Sequence, residues 1–258
     1  MLARFVMAMW LHAGNSESDS NASCGQLVRA AAHSVLAWRT QRDLRPSLIW
    51  KNFKARRFAP PPAIPPGRQL FAVDATRSVE WFLETGRQTA DSFRTALTDI
   101  DRPIESFEAI LDFGCGCGRV LRQWINVKGP IFFGTDYNPH VVDWASAHLP
   151  FDIRRNSLTP PLPYADETFD LCYAVSVFTH LPESQQRPWL KELHRILKPD
   201  GILLLTLSGE GDLIRTTPGE QEEFRTRGLV VLDGAYAGTN MCGVYHSESY
   251  VRKNWADF

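Results

Sequence analysis

Hydrophobic and polar positions follow two different periods in the second half of the chain. Short apolar runs of strand length predict five β-strands, at Ala109–Phe113, Ile131–Thr135, Phe151–Arg154, Phe169–Val175 and Ile202–Leu207. Between them, apolar residues spaced for one helical face predict helices at Arg119–Val127, Pro139–His148 and Glu183–Leu197. Because strands that alternate with helices join through right-handed crossovers, we expect an α/β fold with a doubly wound, mostly parallel sheet and helices on both faces.

The first third of the chain lacks this alternation. Apolar residues at helical spacing predict a helix from Gly25 to about Arg42, and residues 77–99 predict further helix that Gly86 divides in two. Five prolines fall between Ala59 and Gly67. Because proline fixes φ and removes an amide donor, this stretch is expected to be a stiff connector.

The chain therefore divides into two expected parts. Residues 1–66 would form a helical and basic N-terminal appendage with the Pro-rich connector, and residues 67–258 would form one α/β domain with its core at 107–208. Residues 39–57 carry seven positive charges and one negative charge, although the whole chain is balanced at 28 positive and 29 negative. A nucleic-acid or membrane patch is one interpretation. A solvated basic flank is favoured, because the positive residues do not keep to one helical face.

Cysteine usage bears on the compartment. Five cysteines, an odd number with no C-x-x-C pair, predict a reducing environment and hence a cytoplasmic protein. The apolar run Phe5–Leu11 is too short for a membrane span, which needs about 20 residues, so no membrane span is expected there. With Arg4 before it and Ala13-Gly14 after it, this run also resembles a signal peptide faintly, an alternative that the rest of the chain disfavours.

The most informative stretch is Ala109–Arg119, in which an apolar strand runs into a turn with glycines at 114, 116 and 118. Glycines there let the backbone approach a ligand closely and expose amide groups to it. The dinucleotide-binding fingerprint would need another glycine where Arg119 stands. Asp112, two residues before the first glycine, disfavours a pyrophosphate and suits a cationic or amino-bearing ligand.

A second acid, Asp136, closes the next predicted strand, 24 positions after Asp112. An acid at this point can accept hydrogen bonds from both hydroxyls of a ribose. The two acids together predict a nucleoside ligand whose other end is not a diphosphate. S-adenosylmethionine fits, since it joins adenine and ribose to an amino-acid tail with a sulfonium charge.

On these motifs the chain resembles class I S-adenosylmethionine-dependent methyltransferases of the bacterial small-molecule type, over about residues 107–208. Leu111–Gly118 is similar to the first motif of the family, and Thr135-Asp136 is similar to its ribose-binding acid. Pro161–Leu171 resembles the approach to the fourth strand, and Leu193–Gly201 resembles the helix and turn before the fifth. The resemblance implies a Rossmann-like methyltransferase sheet and S-adenosylmethionine as the cofactor.

The resemblance also implies contacts with the methionine part of the cofactor. The backbone of Gly114, Cys115 and Gly116 would lie along the methionine tail. Asp112 would orient the amino group of that tail, directly or through water. Ser176 ends the fourth predicted strand, where the transferable methyl group should sit.

Contacts with the adenosine part follow in the same way from the resemblance. Asp136 would bind the ribose, and Tyr137 would flank the adenine. The family often places an acid towards the adenine amino group after the third strand. Asn156 stands near that position, with Ser157 and Leu158 beside it, and an asparagine can accept the same hydrogen bond.

Other interpretations of these positions stay open. Cys115 and Cys117 have the C-x-C spacing of some metal sites, but no further ligand cluster accompanies them, so no metal is expected. Asp112 could be a buried structural acid that caps the turn, and Asp136 could cap the following helix. Asp170 is expected to pack and cap at the start of its strand.

The acceptor side would lie at the carboxyl end of the fourth strand, because that edge of an open α/β sheet faces the ligand crevice. Methyltransferases of exocyclic DNA amines carry Asn/Asp-Pro-Pro-aromatic there, whereas this chain has Ser-Val-Phe-Thr at 176–179, so no DNA acceptor is expected. His180 is a candidate general base for a hydroxyl acceptor. Its alternative role is to cap the next helix or to bond to backbone. Positioning and desolvation can supply most of the rate without any base.

The favoured function is transfer of a methyl group from S-adenosylmethionine to a small-molecule or glycan-type acceptor, with the N-terminal helices covering the crevice. One alternative is a cofactor-binding module without catalysis. Another, an RNA methyltransferase that uses residues 39–57, is less expected. A nicotinamide-dependent oxidoreductase is disfavoured by Arg119 and Asp112.

The last 50 residues, 209–258, lack the pattern that closes the seven-stranded sheet of the family. Gly228–Asp233 and Met241–Tyr245 predict short strands, and Ser247 predicts the N-cap of a final helix. We expect a truncated C-terminus without the closing β-hairpin, an insertion near the crevice at 228–245, and an unprotected sheet edge at the fifth strand. The competing interpretation makes the two short strands the closing hairpin itself.

Overall fold

The computed structural model describes residues 5–10, 62–74 and 76–258. The strands are β1 Phe5–Trp10, β2 Ala109–Phe113, β3 Ile131–Asp136, β4 Asp152–Arg155, β5 Phe169–Ala174, β6 Leu197–Leu207, β7 Leu229–Leu232 and β8 Gly243–His246. The helices are α1 Gly67–Asp74, α2 Val79–Thr98, α3 Pro139–His148, α4 Glu183–Ile196, α5 Pro218–Arg227 and α6 Glu248–Asn254. The predicted helix at 25–42 and the basic segment 39–57 lie outside the described residues, so the division of the chain at residue 66 stays a prediction.

Strands β1 to β6 form one parallel sheet in the order β1-β6-β5-β2-β3-β4. From β2 the chain moves outward through β3 and β4, and then returns to β5 on the other side of β2. The winding therefore reverses between β2 and β5, and a crevice opens at the carboxyl ends of these two strands. The predicted doubly wound α/β fold is confirmed, and the five predicted strands are β2 to β6, although β6 begins earlier, at Leu197.

Two apolar cores cover the two faces of this sheet. One packs α2 and α3 against alternate strand residues such as Ile110 and Tyr173. The other packs α4 and α6 against the residues that point the opposite way, such as Leu111 and Cys172. Because both faces of the central strands are buried, these strands are continuous apolar runs in the sequence. The helices predicted at Pro139–His148 and Glu183–Leu197 are confirmed as α3 and α4.

The edge of the sheet beside β6 differs from the prediction. Strand β1 pairs with β6 in parallel, from Phe5 opposite Ile202 to Trp10 opposite Leu207. The expected unprotected edge at Ile202–Leu207 is therefore wrong. The apolar run near the start of the chain has the length of an ordinary strand, and in the structure it forms one.

The two short C-terminal strands form a hairpin of their own. Strands β7 and β8 pair antiparallel as a separate two-stranded sheet. The hairpin meets the end of β6 where the His246 amide donates to the Ser208 carbonyl at 2.8 Å. Since β1 occupies the place beside β6, the interpretation of β7 and β8 as the closing hairpin of the main sheet is wrong. That residues 228–245 are an insertion stays a prediction.

Helix α2 is continuous, so the predicted division at Gly86 is wrong. Gly86 is buried against the start of the segment after the glycine-rich turn, and a Cβ atom there would lie 2.3 Å from the Arg119 carbonyl oxygen. The glycine therefore permits a close approach of two backbones. It does not end the helix.

The predicted helix at Arg119–Val127 is also wrong, since a short 3-10 helix at Leu121–Trp124 stands in its place. The Gln123 amide bonds to the Val120 carbonyl at 2.9 Å, a three-residue spacing. The Arg119 carbonyl, which an α-helix would give to that amide, accepts from the Gln123 side chain at 3.5 Å. The tight approach of α2 to Arg119 thus coincides with the loss of α-helical bonding.

Replacing Gly86 with alanine is expected to lower the free energy of unfolding, because overpacking usually costs about 1–3 kcal/mol. This loss would outweigh the gain of about 1 kcal/mol that alanine brings to a helix interior. Gly219→Ala in α5 is the matched control, because nothing lies within 4 Å of its Cβ position. Urea unfolding compares the two variants, and a Gly86→Ala protein as stable as Gly219→Ala would contradict the close approach.

The start of the sheet agrees with the prediction for Asp170. Its carboxylate accepts hydrogen bonds from the Glu108 amide at 2.6 Å and the Ala109 amide at 2.9 Å. Asp170 therefore ties the beginning of β5 to the beginning of β2. The predicted capping role of Asp170 is confirmed.

Candidate functional site

A cleft of about 420 Å³ lies at the carboxyl ends of β2 and β5, where the winding of the sheet reverses. This volume is in the range of small-molecule sites. The structure brings every predicted site residue to the wall of the cleft: Asp112, Gly114, Cys115, Gly116, Asp136, Tyr137, Asn156, Ser157, Leu158, Ser176 and His180. Their separate roles stay predictions.

The glycine-rich turn forms one wall almost entirely from backbone. Gly114 and Gly116 have positive φ values of 79° and 53°, a conformation that glycine adopts without strain. A Cβ atom on Gly114 would lie 2.3 Å from the Val177 side chain, and one on Gly116 would lie 2.8 Å from Val73. The turn therefore leaves a cradle that side chains at these positions would fill.

Asp112 lies at the bottom of the cleft with 2% of its surface exposed, and it accepts a hydrogen bond from the Tyr173 hydroxyl at 3.0 Å. Burial raises the pKa of Asp112 to about 7, although the Tyr173 hydroxyl and the nearby Arg119 charge act in the opposite direction. The amides of Gly114 and Cys115 both bond to the Thr135 carbonyl, at 2.8 Å each. These two amides therefore do not bond to Asp112, and its alternative role as a buried structural acid of the turn stays a prediction.

Asp136 links the glycine-rich turn to the start of α3. Its carboxylate accepts from the Gly116 amide at 3.0 Å and from the Asn138 amide at 2.8 Å. Burial raises the pKa of Asp136 to about 6, while these amides favour the charged form. The helix cap is Asn138, whose side chain accepts from the His140 amide, so the alternative role of Asp136 as that cap is wrong.

The wall after β4 offers a free acceptor. The Oδ1 atom of Asn156 is buried and has no hydrogen-bond donor among the described residues, while its Nδ2 donates to the Ser157 carbonyl at 2.6 Å. Tyr137 stands half-buried on the same side, where burial and the Asp136 charge raise the pKa of its hydroxyl. A buried oxygen without a donor is costly unless a ligand supplies one.

These features fit the cofactor that the sequence predicts. The backbone cradle admits an extended tail, the buried carboxylate of Asp112 suits an ammonium group, and Asn156 can accept from an exocyclic amine. Asp136 faces the same cleft with a carboxylate that can accept from hydroxyls. The donors and acceptors thus match an amino-acid tail, a ribose and an aminopurine.

Ser176 has a strained backbone at the end of β5. Its φ is +57°, in the left-handed region that non-glycine residues rarely adopt. Two hydrogen bonds hold this conformation: the Ser176 amide donates to Thr206 Oγ1 at 2.7 Å, and its carbonyl accepts from Thr179 Oγ1 at 2.6 Å. Strain of this kind clusters at functional sites, where surrounding structure fixes it.

His180 faces the cleft in a single tautomer. Its Nδ1 lies 2.6 Å from the Cys242 carbonyl, which can only accept, so Nδ1 carries the proton and Nε2 keeps its lone pair. Burial lowers the pKa of His180, although the bond to Cys242 opposes this effect. Pro182 is the N-cap of α4, so His180 does not cap that helix. The alternative prediction of a bond to backbone is confirmed.

Several residues of the cleft carry no local signal in the sequence. Helix α1 contributes Ala72 and Val73, and the connection between β7 and β8 contributes Gly238 and Asn240. Asn240 joins these two elements, since its Nδ2 donates to the Ala72 carbonyl at 3.2 Å. The prediction that residues 228–245 lie near the crevice is thus confirmed for the segment between β7 and β8. Tertiary contacts hold this segment at the cleft.

The two cysteines of the turn are buried thiols. Cys115 Sγ lies 3.7 Å from the Gly116 carbonyl, and Cys117 Sγ lies 3.5 Å from the Gln69 carbonyl. Burial raises the pKa of the Cys115 thiol well above its ordinary value. Within the part of the chain that the structure describes, no group of three or more His, Cys, Asp or Glu residues could hold a metal ion.

Comparison with known proteins matches residues 111–205 to the family model of a methyltransferase domain. A malonyl-[acyl-carrier protein] O-methyltransferase of Erwinia pyrifoliae is 28% identical over 158 residues, which cover 60% of this chain and 56% of that protein. A tRNA N(3)-methylcytidine methyltransferase of Schizosaccharomyces pombe is 28% identical over 130 residues, which cover 46% of this chain and 49% of that protein. The chain thus spans about half the length of these two curated relatives.

Among solved structures, the PH0226 protein of Pyrococcus horikoshii matches with a TM-score of 0.46 at 16% identity, covering 69% of this chain and 85% of that one. As to membranes, none of the helices in the described ranges is both long enough and apolar enough to cross one.

Proposed function

The chain contains a class I S-adenosylmethionine-dependent methyltransferase domain, and from this premise we propose that it methylates a small-molecule or glycan-type acceptor. The observation that carries the choice of acceptor is the charge of the cleft wall. Arg119 is the only lysine or arginine among the described residues that line the cleft. Its guanidinium lies 3.2 Å from Thr85 Oγ1 and stacks over the Trp81 ring. A nucleic acid, in contrast, is held by several cationic contacts to phosphate.

The residues that would hold the cofactor are those of the β2 and β3 ends. S-adenosylmethionine, when bound, supplies an electrophilic methyl group on a sulfonium centre. Asp112 would orient the ammonium group of the tail, and Asp136 would accept from the ribose hydroxyls. Asn156 Oδ1 would gain the donor it lacks from the adenine amino group. These residues bind and orient, and they take no part in the transfer of protons.

On the acceptor side the chain supplies a base and a fixed wall. His180 Nε2 can accept the proton of an acceptor hydroxyl, because the bond from Nδ1 to Cys242 fixes the tautomer. Ser176 and Val177 border the same region, and the hydrogen bonds of Ser176 keep this wall rigid. A fixed orientation of the acceptor supplies much of the rate in a displacement reaction.

Replacing His180 with alanine is expected to lower kcat by about 10²–10⁴-fold, the usual contribution of a general base, and to leave cofactor affinity unchanged. In the unsubstituted protein, activity should fall as pH drops through the His180 pKa, because the protonated ring cannot accept a proton. Burial lowers that pKa, so the limb should lie below pH 6.5. Steady-state kinetics across pH 5–8 measure both effects.

The matched control for this experiment is Cys242→Ala, which removes the thiol and keeps the carbonyl that holds His180. Its pH profile should match that of the unsubstituted protein. An active His180→Ala protein, or a flat profile of the unsubstituted protein over the same range, would return His180 to a structural role.

The acceptor class is tested by incubation with labelled S-adenosylmethionine and, in separate reactions, a metabolite pool and total tRNA. Label in small molecules supports the proposal. Label in tRNA would favour RNA methylation, for which the curated relatives include a precedent and residues 39–57 would supply the charge. Cofactor binding without label in either pool would favour a non-catalytic module.

We also propose a cytoplasmic site of action. Among the described residues, Cys115, Cys172 and Cys242 are buried thiols outside any disulfide. Proteins of reducing compartments keep such thiols, whereas secreted domains commonly pair them. Fractionation of cells that express the protein tests this location.

A further inference from the structure

Two buried hydrogen bonds lead from the core of the domain to the carboxylate of Asp112. Trp124 Nε1 donates to the Tyr173 hydroxyl oxygen at 2.9 Å, and the Tyr173 hydroxyl donates to Asp112 Oδ2 at 3.0 Å. Each of the three side chains exposes 1–2% of its surface. Asp112 and Tyr173 lie directly opposite each other in the register of β2 and β5. The sheet therefore fixes the second bond, and the 3-10 helix after the glycine-rich turn supplies the first.

The direction of these bonds matters for the charge of Asp112. Both donors point towards the carboxylate, and a donor to the charged form favours that form. Burial acts the other way and favours the neutral acid, as does the carboxylate of Asp136. The Arg119 guanidinium favours the carboxylate. The thiol of Cys115, which also faces Asp112, stays neutral because its pKa is raised.

We propose that Tyr173, oriented by Trp124, is a positioning residue that keeps Asp112 ionised and aimed at the ammonium group of S-adenosylmethionine. This inference rests on the proposed role of Asp112 in holding that group. A neutral carboxylic acid would offer the ammonium no ion pair. The hydroxyl of Tyr173 thus decides at which pH the cleft can hold the amino-acid tail.

Packing alone does not require these polar atoms. The Tyr173 ring contacts Phe93 edge to face, with centroids 5.3 Å apart, and the Trp124 ring stacks on Phe132 at 6.1 Å. Phenylalanine at 173 or 124 would keep most of these apolar contacts. Each substitution removes one hydrogen-bond donor from the series that runs from Trp124 through Tyr173 to Asp112.

The experiment measures the dissociation constant of S-adenosylmethionine from pH 6 to 8.5 by calorimetry. Tyr173→Phe should move the acidic limb of the profile to higher pH by about one unit, which weakens binding roughly fivefold at pH 7 and approaches tenfold at lower pH. The alkaline limb, set by the ammonium of the ligand, should stay in place. Trp124→Phe should move the acidic limb in the same direction by a smaller amount, because Tyr173 still donates to Asp112.

Tyr164→Phe is the matched control, since the Tyr164 hydroxyl is buried and has no hydrogen-bond partner among the described residues. Its profile should match that of the unsubstituted protein. In an Asp112→Asn background, Tyr173→Phe should produce no shift of the limb. An unchanged profile for Tyr173→Phe, or a loss of affinity by the same factor at every pH, would overturn the proposal.

A second measurement separates this inference from the proposed function. If the unsubstituted protein bound no S-adenosylmethionine, the function would fail. Urea unfolding of the unliganded protein across the same pH range would still test whether Tyr173 keeps Asp112 ionised. Ionisation of Asp112 lowers the stability of the folded protein, and in Tyr173→Phe this loss should begin at a higher pH. An identical pH dependence of stability in both proteins would overturn the proposed role of Tyr173.

Discussion

Replacing Asp136 with alanine is expected to weaken S-adenosylmethionine binding by about 2–4 kcal/mol, because two charge-assisted hydrogen bonds to the ribose would be lost. The substitution would also release the Gly116 and Asn138 amides, which the Asp136 carboxylate holds at 3.0 and 2.8 Å. The turn that forms the backbone cradle would then lose its tie to β3. Calorimetry with S-adenosylmethionine at pH 7.5 measures the loss.

Two controls separate the ribose contact from damage to the turn. Asn138→Ala removes the cap of α3 and keeps the carboxylate, so its affinity should stay close to that of the unsubstituted protein. Asp136→Asn keeps one acceptor oxygen at the same place and should lose less affinity than Asp136→Ala. An Asp136→Ala protein that binds the cofactor within twofold of the unsubstituted protein would show that the ribose lies elsewhere.

The agreement between sequence and structure is best where a function depends on local order along the chain. Strands β2 to β6 are short apolar runs between turn residues, and the ends of parallel strands meet at one edge of the sheet. Asp112, Asp136, Asn156 and Ser176 lie in the last two positions of such strands or just after them, so their convergence in one cleft could be predicted without knowing any long-range contact.

The wrong predictions concern residues whose role depends on contacts with a distant part of the chain. Gly86 resembles a helix break in the sequence, and only the position of the Arg119 carbonyl shows that it serves a close backbone approach. The strand β1 is separated from its partner β6 by about three quarters of the chain, since Phe5 pairs with Ile202, so no local pattern connects the two.

The same limit explains the polar partners that sequence analysis missed. Tyr173 has the apolar neighbours of a core strand residue, and its bond to Asp112 depends on the register between β2 and β5. Asn240 lies in a polar connection, and its contact with the Ala72 carbonyl requires α1 and the β7–β8 hairpin to meet at the cleft. These contacts depend on tertiary structure, so neither composition nor periodicity could predict them.

Replacing Asp112 with asparagine is expected to change the stability of the unliganded protein in a pH-dependent way. Compared with the unsubstituted protein, the variant should gain stability as the pH rises. Burial raises the pKa of Asp112 from its ordinary 3.8 to about 7. A raised pKa in the folded state means that stability is present below the unfolded pKa and is lost as pH rises through the folded pKa. The stability of the variant minus that of the unsubstituted protein should therefore rise by up to about 4 kcal/mol between pH 4 and pH 8. Urea unfolding at several pH values measures this difference.

The difference between the two proteins isolates Asp112 from other titrating groups. The pKa of His246 is lowered by burial to about 3, so its own contribution is lost as pH falls below 6.5, in both proteins alike. The same variant should bind S-adenosylmethionine more weakly, because an amide offers the ammonium no ion pair. Opposite signs for stability and affinity would identify Asp112 as a buried charge kept for binding at the expense of stability. A stability difference that does not change with pH would mean that Asp112 ionises as freely as in water.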